Sequence, residues 1–197
     1  MKQSLQEILR AEKVIVELGI GDGRLLQDLA KKHRTTKSIA YIGIEKDKIS
    51  AKQARMRVSS PNITIINSMF EESLTQFDDQ SIDLVIMVLP DPDYIDPVHY
   101  DKWSPFYRSI IHSKLKQFGR LNIVTEIIDD LLEPVSDETY FTQVDWLISK
   151  FVGLGFKLLN KKNGPPTSYS SLYLDKFGAD SQRIRIVTLA FVKIDRR

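Results

Sequence analysis

The run IDLVIMVLP, residues 82–90, is apolar at nearly every position and shows no alternation of apolar and polar side chains. A strand with one wet face alternates; a strand covered on both faces does not. This run therefore predicts a sheet buried between two helical layers, and the rest of the chain repeats the theme. KVIVELG (13–19) reads as a buried strand and DGRLLQDLAKKHR (22–34) as an amphipathic helix with Leu25, Leu26 and Leu29 on one face. IAYIGIE (39–45) is a second strand followed by the helical KISAKQARMRV, and NITIIN (62–67) is a third. After the fourth strand come a helical YRSIIHSKLKQF and a fifth strand, GRLNIVTE (119–126). LLEPVSDETYFTQVDWLISKFVGLG reads as a loop entering an amphipathic helix, with Trp146 and Phe151 in the core. The end differs: GFKLLNKKN and RIRIVTLAFVKI are strand-like runs with no clear helix between them, which predicts an antiparallel pair. The expected fold is α/β and Rossmann-like: a seven-stranded, mostly parallel sheet with an antiparallel C-terminal pair and helices on both faces.

A chain of 197 residues, 42% of them hydrophobic, suits one domain spanning residues 1–197. It contains no cysteine, which excludes disulfides, cysteine–zinc sites and thiol catalysis. No apolar run approaches the roughly 20 residues that span a bilayer, and MKQSLQEILRAEK lacks the apolar centre of a signal peptide, so the expected location is the cytoplasm. The three histidines, His33, His99 and His112, are scattered without metal spacing, and no metal is expected. The net charge of +2 means that any nucleic-acid role rests on a local patch. Lys157, Lys161, Lys162, Arg183, Arg185, Arg196 and Arg197 are the candidates.

The first strand runs into VELGIGDGR, with Gly19, Gly21 and Gly23 closely spaced. Such a loop lets a ligand approach the main chain, but by itself it does not identify the ligand. Glu17, two positions before the first glycine, suits a ligand ammonium and offers nothing to a pyrophosphate. Asp22 inside the loop repels a phosphate at the helix start. Glu45 ends the second strand, 22 residues after Gly23, where an acid can take both hydroxyls of a ribose or cap the following helix. Asn67 and Ser68 end the third strand beside the expected base, with Met69 or Phe70 packing on its face or in the core.

These segments resemble the class I S-adenosylmethionine-dependent methyltransferases, and more narrowly the tRNA (guanine-N7)-methyltransferases. Pro90-Asp91-Pro92-Asp93, Gly119-Arg120-Leu121 leading to Thr125-Glu126, and Thr167-Ser168-Tyr169-Ser170 carry the narrower resemblance. It implies S-adenosylmethionine held by Glu17, the three glycines, Glu45, Asn67, Ser68 and Pro90, and RNA, first of all tRNA, as the partner of a monomer or homodimer. It implies Asp91 as the catalytic residue holding the acceptor base, with Tyr94, Thr125, Glu126, Thr167 and Tyr169 binding substrate. Guanine N7 carries no proton, so positioning rather than a strong base is required. The chain departs from that family where an aromatic residue gives way to Asp93, where a basic run is replaced by YIDPVHYDKW, and where a glutamate becomes Ser170. DPDY also resembles the Asp-Pro-Pro-Tyr motif of amino-methyltransferases, and LGIGDGR with YIGIE resembles the ribosomal adenine-N1 methyltransferases. Another acceptor (ribosomal adenine, a protein side chain, a small molecule) and a non-catalytic cofactor-binding module are the alternatives.

Overall fold

A computed structural model describes residues 11–33, 38–129 and 133–194; most of the N-terminal segment, with Arg196 and Arg197, lies outside them. Seven strands form one sheet: β1 (Lys13–Leu18), β2 (Ile39–Glu45), β3 (Ile63–Asn67), β4 (Ile82–Val88), β5 (Leu115–Ile128), β6 (Phe156–Asn163) and β7 (Ile184–Lys193). Their order is β3-β2-β1-β4-β5-β7-β6. The first five are parallel, and β7 runs antiparallel between β5 and β6. The helices are α1 (Arg24–Lys32), α2 (Lys48–Arg57), α3 (Phe70–Leu74), α4 (Tyr100–Pro105), α5 (Asp137–Gly153) and α6 (Leu172–Gly178).

Period-two alternation sorts each strand between two apolar layers. Val14, Val16 and Leu18 of β1 join Trp103, Tyr107, Val144, Leu147 and Phe151 on one face. Ile15 joins Leu25, Leu26, Ala30 and Ala54 on the other. Glu17 shares the face of Ile15 and is only 2% exposed. Strand order reverses between β1 and β4, so the carboxyl ends of these strands open a crevice there.

Two boundaries differ from the sequence expectation. LKQF belongs to β5 rather than to the preceding helix, because Leu115 pairs with Ile82 and the register then shifts to Leu84 opposite Arg120. Phe118 takes φ 60° in that irregularity. A Cβ on Gly119 would meet the Lys116 carbonyl oxygen at 2.8 Å, so the kink needs glycine. Helix α6 fills the segment between the last two strands that the sequence leaves without one; Ser171 caps it by accepting from the Leu174 N–H. Among the described residues no helix is long and apolar enough to cross a membrane.

After α4 the chain continues as a π-helical stretch, Phe106–Ile111. Helix α4 and this stretch supply Trp103 and Tyr107, two of the largest fully buried side chains. Trp103 stacks on Phe151 with centroids 5.7 Å apart, and its indole N–H donates to the Asp96 carbonyl at 2.8 Å. That bond ties the loop after β4 to the core. We predict that Trp103→Ala lowers unfolding free energy by about 3–5 kcal/mol in urea titration, the cost of an emptied aromatic site. Trp146→Ala, at a half-buried position, costs less than half as much. Equal losses would show that the cluster is not organised around Trp103.

Candidate functional site at the carboxyl edge of the sheet

The loop after β1 is held by its own geometry. Gly19, Gly21 and Gly23 have φ of 75°, 53° and 75°, values that side chains with a Cβ rarely adopt. Gly23 also lies against α2, where a Cβ would meet that of Ala54 at 3.1 Å. Between the glycines Ile20 is buried, and its side chain fills the space over Gly43 of β2, where a Cβ would meet Ile20 Cγ2 at 2.6 Å. The fit of Ile20 onto Gly43 fixes the height of the loop above the sheet. Sequence reading misses this pair, although a glycine within the apolar YIGIE is a signal of close backbone approach.

Glu17 ends up buried with its Oε2 lacking a hydrogen-bond partner. Burial, then the nearby Asp22 and Glu45 carboxylates, push its pKa well above the ordinary carboxylate range. Asp22 itself is engaged: its Oδ2 lies 3.3 Å from Arg57 and 3.8 Å from Arg24, and its Oδ1 accepts the Arg24 N–H.

Glu45 accepts from the Gly21 N–H at 3.0 Å through Oε2 and from the Asp47 N–H at 2.9 Å through Oε1. It therefore joins the glycine loop to the start of α2 while retaining lone pairs for further donors. The helix cap is Asp47, which accepts from the Ser50 N–H. Asn67 donates its amide to the Glu45 and Lys46 carbonyls, and the Ser68 N–H donates to Glu45, so both residues brace the tip of β2. Met69 is exposed, whereas Phe70 packs against the core.

Beyond β4, Leu89 takes φ 50° and donates its N–H to the Val124 carbonyl at 2.7 Å. This strained turn swings the following loop over the sheet edge. Pro90 is buried, Asp91 exposed. Asp91 caps a 3-10 turn, Pro92–Tyr94, by accepting the Asp93 N–H, and its other oxygen lies 3.4 Å from Lys46. Tyr94 turns inward. Its ring lies between Phe70 and Phe106, and its hydroxyl donates to Glu71 at 2.9 Å, so it presents no free face in this arrangement.

At the end of β5, Thr125 is buried and Glu126 lines a cavity of about 300 Å³ with Pro92, Ile95, Pro97, Gln143 and Leu147. Glu126 Oε2 is buried without a partner, and burial raises its pKa. The segment after β6 folds back over α1: Arg24 pairs with Asp175 at 2.7 Å and Lys32 donates to the Ser168 carbonyl. Thr167 is exposed on that segment. Tyr169 packs beside Val88 and Leu89, near enough to Glu17 for the carboxyl to help burial push the phenol pKa up. The C-terminal cations are largely spent on neighbours, Lys161 on Asp145, Arg183 on Asp180 and Arg185 on Asp137. The structure thus brings Glu17, the glycines, Glu45 and Tyr169 around one crevice and Thr125 and Glu126 around the adjoining cavity, while Asp91 stays at the surface against Lys46 and does not line it.

Residues 15–103 match the family described as a methyltransferase domain, a span that includes the glycine loop, Glu45 and the loop after β4. No curated protein sequence matches the chain. Among solved structures, the chain is similar to the 16S rRNA methyltransferase KamB at 17% identity and TM-score 0.70, over 99% of this chain and 96% of that one. An antibiotic-related methyltransferase shows 20% identity and TM-score 0.64, over 98% and 94%. A 30S ribosomal A1408 methyltransferase from an uncultured bacterium shows 23% and 0.58, over 98% and 94%. At these identities the likeness shows the fold.

The cofactor of this domain is S-adenosylmethionine, and the residues fit it. Glu17 offers a buried, unpartnered oxygen to an ammonium, Glu45 keeps lone pairs for ribose hydroxyls, and the positive-φ glycines open the main chain between them. A proton linkage follows. In the free protein the raised pKa keeps Glu17 protonated above the usual carboxylate range, whereas a bound ammonium favours the carboxylate. Binding then releases a proton, so affinity rises with pH until the raised pKa is passed. We predict that calorimetry with S-adenosylhomocysteine between about pH 5 and 8 shows a dissociation constant falling by up to about tenfold per pH unit before levelling. Glu17→Gln abolishes the slope and weakens binding by about tenfold, ~1.4 kcal/mol. A slope that survives the substitution would remove Glu17 from ammonium recognition.

Proposed function

We propose that the chain is a class I S-adenosylmethionine-dependent methyltransferase, and that it methylates RNA at a purine ring nitrogen, with guanine N7 of tRNA as the first acceptor. The observation that carries this reading is the buried, unpartnered Glu126 carboxyl in the cavity beside the Pro90–Tyr94 loop. A carboxylate accepts two hydrogen bonds at once from the N1–H and exocyclic amine of guanine. Those groups lie on the edge of the base opposite N7. A base held by Glu126 therefore presents N7 away from that grip and toward the crevice.

Bound S-adenosylmethionine supplies a methyl on a sulfonium; its displacement leaves the thioether and places positive charge on the purine. N7 carries no proton, so the chain needs to orient the base and exclude water. Glu126 holds the base edge and offsets the charge that develops. Asp91 shapes the 3-10 turn and adds its charge from the loop side. Tyr169 closes the crevice near Glu17. Thr125, buried beneath the cavity, supports the backbone that carries Glu126.

A second reading, adenine N1 in 16S rRNA, is favoured by the likeness to KamB and the A1408 enzyme. In that case Glu126 accepts from the adenine amine alone. Transfer of tritiated methyl into unmodified tRNA and into 30S subunits, followed by nucleoside digestion, separates the two. We expect 7-methylguanosine from tRNA; 1-methyladenosine from 30S subunits would move the conclusion to the second reading. Label in protein or small molecules but in no RNA would overturn both.

In the same assay Glu126→Gln and Asp91→Ala each reduce transfer at least about tenfold, ~1.4 kcal/mol of barrier, with S-adenosylhomocysteine affinity unchanged. The grip requires ionised Glu126, whose pKa is raised. The rate therefore rises with pH through a limb displaced above the ordinary glutamate range, and Glu126→Gln flattens that limb.

A further inference from the structure

Two loops must cooperate for methyl transfer, and one buried contact joins them. Phe70 begins α3 directly after the tip of β3, and its ring lies against the glycine loop, where a Cβ on Gly19 would meet Phe70 Cζ at 3.6 Å. Tyr94 packs on the same ring at 5.2 Å and donates to Glu71, the next residue of α3. That bond is to Glu71 Oε1; Oε2 is buried with no partner among the described residues. A phenylalanine opposite an apolar residue would fill this space without desolvating a carboxylate and a hydroxyl, so the polar pair is costly unless it specifies one position of the loop. The Lys46–Asp91 pair bridges the same two regions, but at the surface, where such pairs contribute little.

We propose that Tyr94 and Glu71 are positioning residues: their bond keys the Pro90–Asp96 loop to the wall of the cofactor crevice, so that filling the crevice orders the loop that faces the acceptor. This rests on the assignment of that loop to the acceptor side. The coupling is reciprocal, so an ordered loop also favours the filled crevice. The loop carries its own reporters. The N–H groups of Asp93, Tyr94, Ile95 and Asp96 all donate within it, to Asp91 Oδ1 and to the carbonyls of Asp91 and Pro92.

Hydrogen exchange of the full chain, with and without S-adenosylhomocysteine, reads both loops at once. In the wild type, ligand slows exchange at Gly21 and Gly23 and, by about fivefold or more, at residues 93–96. In Tyr94→Phe the glycine loop remains protected and ligand affinity stays within about threefold, while protection at 93–96 falls to less than half of the wild-type effect. Glu71→Gln, which keeps an acceptor, restores part of it. Undiminished protection at 93–96 in Tyr94→Phe, or none there in a wild type whose glycine loop is protected, overturns the proposal. Absence of protection at both loops in the wild type removes the cofactor assignment and this proposal with it.

Discussion

One carboxyl group organises this molecule: Glu17, at the end of the central strand, with an oxygen that no group among the described residues satisfies. A buried acid is expensive to ionise, and a fold that keeps one beside two further acidic residues has placed a demand at that point. The demand we propose is for a cation small enough to reach the carboxyl end of β1. The surrounding arrangement follows from it. The sheet must reverse its strand order there to open a crevice, the next residues must be glycines to admit a ligand to the main chain, and Ile20 must seat on Gly43 to hold the loop open.

The adjoining cavity repeats the device with different consequences. Glu126 is also buried and also unpartnered, but it stands among prolines and aliphatic side chains on the far side of the β4 loop. Desolvation is the largest cause of both raised pKa values, and at Glu17 the Asp22 and Glu45 carboxylates add to it. An ammonium for Glu17 and a purine edge for Glu126 are the ligands we propose for them.

Much of the architecture is legible from the chain because the central strands β1, β2 and β4 are buried on both faces and each parallel connection needs a helix. KVIVEL, IAYIGIE, ITIIN and IDLVIMV carry that signal unmixed. It fails where tertiary pairing overrules local preference. Leu115–Phe118 fits a helix by pattern, yet Leu115 pairs with Ile82 and Gly119 supplies the kink. Helix α6 is too short to leave a periodic trace and stands on its Ser171 cap. Within the candidate site, the bend of the glycine loop was readable because positive φ restricts a position to few residue types. The inward turn of Tyr94 was not. Among three aspartates and two prolines an aromatic reads as exposed, and only the 3-10 turn and the rings of Phe70 and Phe106 show where it goes.

That inward turn bears on how such a site works at all. An in-line displacement depends on the distance and angle between donor and acceptor, and an error of an ångström forfeits most of the advantage. The donor crevice is built on strand ends, whose positions the sheet fixes. The acceptor loop is a single-residue strained turn, two prolines and a cap, anchored at Leu89 to Val124 and at Asp96 to Trp103. Both anchors hold the loop to β5 and to the aromatic core, and neither refers it to the glycine loop. In our proposal the Tyr94 hydroxyl on Glu71 supplies that reference, at a place where a plain aromatic contact would avoid burying a hydroxyl and a carboxylate.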